Sequence, residues 1–208
     1  EALLLFSTTI ARHDARLFDE IFDWLHLHGE LLSLTRLKNL QKQWPLGDQS
    51  VLAALADSLA TNSAHARWKN IANPKNARHQ PAESFFPSTQ SIDWKNSPVQ
   101  PDPHFQKFGW LRSPPDLRGM SQTPAPQPPT NLLFKTRWIF GLQSRAELIP
   151  WLLDHEFGHP AEIARQTAYS KRIVQQTLND LESSGHILSS RTGRQKNYRI
   201  IPQQWTWL

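Results

Sequence analysis

Cysteine is absent from the 208 residues, which excludes a disulfide framework, thiolate zinc sites and cysteine nucleophiles and fits a reducing cytoplasm. Long apolar runs are missing too: nothing approaches the roughly 20 residues that a membrane helix needs. The opening Glu1-Ala2-Leu3-Leu4-Leu5-Phe6 is apolar but short, and it lacks the basic start of a signal peptide. Methionine occurs once, as Met120, in a chain that begins at Glu1, so the start of the gene product is expected upstream. The protein therefore reads as cytoplasmic, with no membrane partner.

What is present is apolar and basic. With 38% hydrophobic residues, nine Trp and ten Phe, the chain has the material for a buried core in one or two domains. The net charge of +5 favours acidic partners, and the excess is C-terminal. From residue 131 onward ten Lys/Arg face six Asp/Glu, against thirteen and twelve before it. Between Ser170 and Arg199 the cations Lys171, Arg172, Arg191, Arg194, Lys196 and Arg199 meet only Asp180 and Glu182. That clustering suits a phosphate-facing surface; a solvated face kept charged for solubility is the alternative.

Residues 1–70 read as a helical domain. Asp14 stands as N-cap of an amphipathic helix bearing Leu17, Phe18, Ile21, Phe22, Trp24, Leu25 and Leu27, broken at Gly29. Ser33 or Thr35 can cap a short helix to about Trp44. Pro45-Leu46-Gly47-Asp48 is a turn, and Asp48 or Ser50 caps a third segment to about Lys69. The order resembles a degenerate helix-turn-helix, or else a dimerisation or packing module. His26 and His28, two apart on a helix, cannot face one metal and read as ordinary surface or boundary residues. Residues 71–130 hold twelve of the sixteen prolines, which excludes long regular helices. Because Phe85, Phe86, Trp94, Phe105, Phe108, Trp110 and Leu111 are interspersed, 74–117 is expected to be an irregular arm packing on a neighbouring domain or a second subunit. Residues 121–130 read as a mobile polyproline-like spacer.

Residues 131–208 give helix, helix, helix, then two strands. Ser144 can cap a helix that Pro150 should kink and that ends near Asp154–Gly158. Pro160–Gln166 makes a short helix with Ile163 and Ala164 inward, and Thr167-Ala168-Tyr169 is a turn. Ser170 caps a helix over Lys171–Ser184 whose inward face is Val174, Leu178 and Leu181, ended by Gly185 in the left-handed conformation. His186–Ser190 and Asn197–Ile200 are strand-like, joined by the basic tip Arg191-Thr192-Gly193-Arg194-Gln195-Lys196. Trp205 and Trp207 should cover core or a dimer partner. The expected fold is mainly α with a small β wing.

The run Glu162-Ile163-Ala164, then Tyr169-Ser170, Val174, Leu178, Leu181-Glu182, Gly185 and Ile187-Leu188 resembles the winged helix-turn-helix of bacterial transcription regulators of the MarR and ArsR kind, over roughly the last third of the chain. The resemblance implies a recognition helix in the major groove and a hairpin wing on phosphate or minor groove. Carried over position by position, Ser170 caps that helix. Lys171, Arg172, Gln175, Gln176 and Asn179 are its exposed readers, and Arg191, Arg194 and Lys196 are wing contacts. It further implies double-stranded DNA as the partner of a homodimer. No cofactor, metal ligand or effector is assigned.

Two other functions compete. One is an interaction or scaffold protein that uses the winged helix for docking. The other is a zinc protease, because His155-Glu156-Phe157-Gly158-His159 spells H-E-x-x-H. That chemistry needs both histidines on one uninterrupted helix, with the glutamate as general base. Pro160 follows at once; inside a helix it would clash with the carbonyl of Glu156, whereas at a helix start it is comfortable. The string is therefore expected to mark a helix boundary, with no catalytic residue in it.

Overall fold

The N-terminal helices begin where short polar side chains can accept a free backbone N–H. A computed structural model describes residues 1–208 apart from Pro126, Pro128 and Arg194 and the side chains of Pro129 and Thr192. Helix α1 (Ala2–Ile10), not foreseen in the sequence, buries Leu4, Leu5 and Thr8. Asp14 accepts from the Leu17 N–H to start α2 (Ala15–His28), and Ser33 from that of Arg36 to start α3 (Leu34–Gln43). Asp48 accepts from Ser50 and Val51 to start α4 (Gln49–Leu59). This last helix is buried nearly all round, Val51 through Ala56 being inaccessible, and is the centre of the unit. It ends at Leu59 rather than near Lys69, because Asn62 caps a separate 3-10 stretch, Ser63–Asn70. His28 is buried rather than superficial, and His26 is half-buried.

The proline-rich segment packs on these helices. Strand β1 (Glu83–Ser84) pairs in parallel with β2 (Trp110–Leu111), and Asp102 caps the single-turn α5 (Pro103–Gln106) between them. Phe85 is the hub of the aromatics, with ring centroids 4.7 Å from Phe18, 5.3 Å from Phe105 and 5.6 Å from Trp110 in edge-to-face geometry. Arg112 is buried among them, its guanidinium 5.0–5.8 Å from the rings of Phe18, Phe85, Phe86 and Phe105, and it pairs with Asp19 at 2.6 Å. The chain divides into two compact units, Glu1–Thr123 and Pro124–Leu208. Residues 71–123 thus join the first unit, and Phe85, Phe86, Phe105, Phe108 and Trp110 are buried within it. Of the spacer expected over 121–130, Pro126 and Pro128 lie outside the described residues, and Ser121 is hydrogen-bonded to Asp23.

The C-terminal unit opens with α6 (Leu132–Phe140), again absent from the sequence reading, followed by α7 (Ser144–Asp154), α8 (Pro160–Thr167) and α9 (Lys171–Ser183). An antiparallel hairpin of β3 (Ile187–Thr192) and β4 (Gln195–Ile200) closes it, in register from Ile187 opposite Ile200 to Thr192 opposite Gln195. Leu148, Ile149, Leu152, Ile163, Val174, Leu178, Leu181, Ile187 and Tyr198 form the core. Trp205 covers that core as expected, while Trp207 is 55% exposed. Among the described residues no helix is long and apolar enough to cross a membrane.

One detail of α7 departs from the sequence reading, and the interior proline finds a partner. Ser144 is its first residue rather than its cap, and its hydroxyl bonds that of Thr177 at 2.7 Å. Pro150 lies inside the helix without ending it. Proline strands the carbonyl four residues back, here that of Ala146, and the buried Thr136 hydroxyl of α6 donates to it at 2.8 Å. A neighbouring helix thus supplies the hydrogen bond that Pro150 cannot.

Thr136→Val should therefore leave a buried carbonyl unpaired and destabilise the protein by about 1–3 kcal/mol in urea denaturation. In a Pro150→Ala background, where an N–H returns, the loss should shrink; an equal loss in both backgrounds would refute the pairing of these two residues. A second expectation concerns Asp23, which accepts from the Gly119 N–H at 2.7 Å and from the Ser121 hydroxyl at 2.9 Å. Burial alone would raise its carboxyl, but these donors and the N–H groups of Ser121 and Met120 hold it below the ordinary value. Its contribution is then full above the unfolded carboxylate range and lost as the pH falls through the depressed folded value. Thermal melts against pH should show Asp23→Asn losing that acid-sensitive part; an unchanged acid dependence would count against it.

Candidate nucleic-acid interface

The surface begins at the H-E-x-x-H string, where α7 gives way to α8. His155 follows the last residue of α7 in extended conformation and stacks on Trp151, centroids 3.8 Å apart. Gly158 forms an isolated β-bridge with Tyr198, N–H to carbonyl at 2.8 Å and carbonyl from N–H at 2.9 Å. A Cβ there would lie 2.3 Å from the Trp151 ring, so only glycine lets the backbone approach β4. His159 caps α8 through Nδ1, which accepts from Ala161, and Pro160 is the first helical residue. The two histidines therefore flank a strand-like bridge and share no helix face. Among the described residues no group of three or more His, Asp and Glu is placed to hold a metal ion.

Between α8 and α9 the chain turns through Ala168, whose φ of 59° is the one positive value of a non-glycine among the described residues. Ser170 then caps α9, its hydroxyl accepting from the Ile173 N–H at 3.3 Å. Val174, Thr177, Leu178 and Leu181 face the core. A left-handed Gly185 closes the helix: its N–H bonds the Glu182 carbonyl and that of His186 bonds Leu181.

The expected readers fall into two groups. Lys171, Arg172, Gln176 and Asn179 are exposed, and Gln175 is half-buried beside the hairpin. Gln175 and Asn179 are tied to each other and to Tyr198, with Gln175 Nε2 donating to the Tyr198 hydroxyl at 2.8 Å and to Asn179 Oδ1 at 3.0 Å. Of the expected wing contacts, Arg191 is exposed and Arg194 lies outside the described residues. Lys196 is not free: its ammonium pairs with Glu182 at 2.6 Å, and Glu182 also accepts from the Ser189 hydroxyl. The Lys196 and Ser189 donors hold the Glu182 carboxyl below its usual range, and Glu182 in turn raises Lys196. Lys196 thus ties the hairpin to α9 through an ion pair, in addition to the wing position expected of it.

The register adds Arg199, which the sequence reading counted but did not assign. It sits opposite Leu188 on the exposed side of the hairpin, whereas Tyr198 and Ile200 alternate inward. The two acids of α9 are both paired, Asp180 with Arg145 at 3.0 Å and Glu182 with Lys196. Tyr198 also escaped the sequence reading; period-two alternation on β4 points it inward but says nothing of what its hydroxyl meets. No protein-family model, no curated protein and no solved structure matches the chain.

Proposed function

We propose that the protein is a sequence-specific transcription regulator whose C-terminal unit is a winged helix-turn-helix, binding double-stranded DNA as a homodimer and acting by occupying an operator. The observation that carries this reading is a charge inventory. Asp180 and Glu182 are both neutralised, whereas Lys171, Arg172, Arg191 and Arg199 make no salt bridge among the described residues. An α9 and hairpin whose carboxylates are paired while these cations make no salt bridge suit a polyanion.

The first turn of α9 supports the same reading. It contains Lys171 and Arg172 and no acid, and cations there oppose the positive end of the helix dipole by about 0.3–1 kcal/mol each. A phosphate at that helix start relieves the repulsion and is itself held by free N–H groups. In the bound state α9 lies in the major groove with Arg172, Gln175, Gln176 and Asn179 toward base edges, while Arg191 and Arg199 meet phosphate. Docking on a protein is the second reading, favoured by the exposed Trp138, Ile139, Phe157 and Trp207 of this unit.

Fluorescence anisotropy with the full chain and mixed-sequence duplex separates the two readings. Four phosphate contacts give a log–log salt slope of roughly −3 to −4 per protomer; no salt-dependent binding overturns the proposal. At a selected operator, Arg172→Ala with Gln176→Ala should cost about 1–3 kcal/mol of preference per lost base contact, whereas Arg191→Ala should weaken binding to every sequence alike. Lys171→Glu should divide stability from function. It should stabilise the fold by up to about 1 kcal/mol and weaken DNA binding, and undiminished binding by that variant would argue against a phosphate at this helix start.

A further inference from the structure

Tyr198 is buried in the core, yet its hydroxyl reaches side chains of the α9 surface. It accepts from Gln175 Nε2 at 2.8 Å and donates to Asn179 Oδ1 at 3.1 Å, and Gln175 Nε2 donates to the same oxygen at 3.0 Å. This closed triangle uses both N–H bonds of the Gln175 amide, both lone pairs of the Asn179 oxygen and the phenolic proton. Two polar atoms keep no partner among the described residues: Gln175 Oε1, an acceptor, and Asn179 Nδ2, a donor. The residues are four apart on α9, so acceptor and donor are neighbours on its surface.

An untethered amide can flip end for end and meet an acceptor or a donor equally well. Here a flip of either amide alone breaks bonds to Tyr198, whose own position is set by core packing and by the backbone bridge to Gly158, and a flip of both rebuilds the triangle with the outward acceptor and donor exchanged. Either way the surface offers one acceptor beside one donor. In the major groove only adenine presents an acceptor, N7, beside a donor, N6–H₂; guanine presents two acceptors, cytosine one donor, and thymine an acceptor with a methyl group. Resting on the DNA-binding reading above, we infer that Tyr198 is a positioning residue that locks Gln175 and Asn179 into an acceptor–donor pair selecting adenine at one operator position. Asn179 Nδ2 donates to N7, and Gln175 Oε1 accepts from N6.

The test uses the full chain. Duplexes selected from a randomised library give the operator, and anisotropy compares it with copies carrying each other base pair at every conserved A·T position. Wild type should prefer A·T at one position by roughly 5- to 150-fold. Tyr198→Phe keeps the buried ring and frees the amides. It should lose most of that preference while its affinity for mixed-sequence DNA and its salt slope stay unchanged, which a general loss of structure would not do. Asn179→Ala, at an exposed position, should lose the same preference, and the double variant should lose no more than Asn179→Ala alone. Full discrimination by a folded Tyr198→Phe, or a selected operator without such an A·T position, overturns the inference and leaves DNA binding standing. No duplex binding by wild type overturns both.

Discussion

Tyr198 is held from two directions, and the C-terminal unit depends on that. Its backbone makes both hydrogen bonds of the bridge to Gly158, which pins β4 to the junction of α7 and α8. Its ring fills the core beneath α9, and its hydroxyl ends at Gln175 and Asn179. One residue thereby fixes the hairpin against three helices. The bridge exists only because residue 158 has no side chain: the Trp151 ring occupies the place of its Cβ. A glycine, a tryptophan seven positions before it and a tyrosine forty positions after it form one constraint, with the close approach of backbone as its physical content.

The N-terminal unit solves a different problem. Twelve prolines deny residues 71–130 long regular helices, so the segment satisfies its backbone in short local pieces. It does so with a two-residue parallel pair, β1 with β2, and with side-chain caps at Asn73 and Asp102. Apolar burial then holds the segment in place, since Phe85, Phe105, Phe108 and Trp110 are inaccessible to water. A buried cation at the centre of such a cluster would be costly alone. Arg112 is tolerated because Asp19 neutralises it and four phenylalanine rings surround its guanidinium.

Local signals in the sequence were legible where the chemistry is local. Asp14, Ser33, Asp48 and Ser170 cap the helices they announce, and Gly185 ends α9 in the left-handed conformation. The H-E-x-x-H string resolves as a boundary for the reason its proline gives, a ring that fits a first turn and not an interior one. Partnerships were illegible. Pro150 announces a missing hydrogen bond but not its replacement, because the hydroxyl that takes its place comes from Thr136, in a helix that has no side-chain cap bond or clear period of its own. Helix α1 went unseen for a similar reason: Glu1 makes no side-chain cap bond to it, and its Leu and Phe residues run together instead of recurring. Lys196 looked like any other wing cation, since nothing in the order of residues states that Glu182, fourteen positions earlier, would face it.

That pairing alters what a basic cluster means. Lys171, Arg172, Arg191, Arg194, Lys196 and Arg199 count alike in composition, but the fold spends Lys196 on anchoring the hairpin. The anchor matters because the hairpin carries Tyr198, and through it the orientation of two amides on α9. On the DNA-binding proposal, charge and recognition occupy separate layers. The long cations without salt bridges give attraction that depends on their number and on salt and is indifferent to sequence. The short amides give direction, and direction requires that they be fixed before a partner arrives, because amides free to rotate must be ordered at the moment of binding. Glu182 serves both layers: its own charge is neutralised by Lys196, and through Lys196 and Ser189 it holds the hairpin on which the acceptor–donor pair depends.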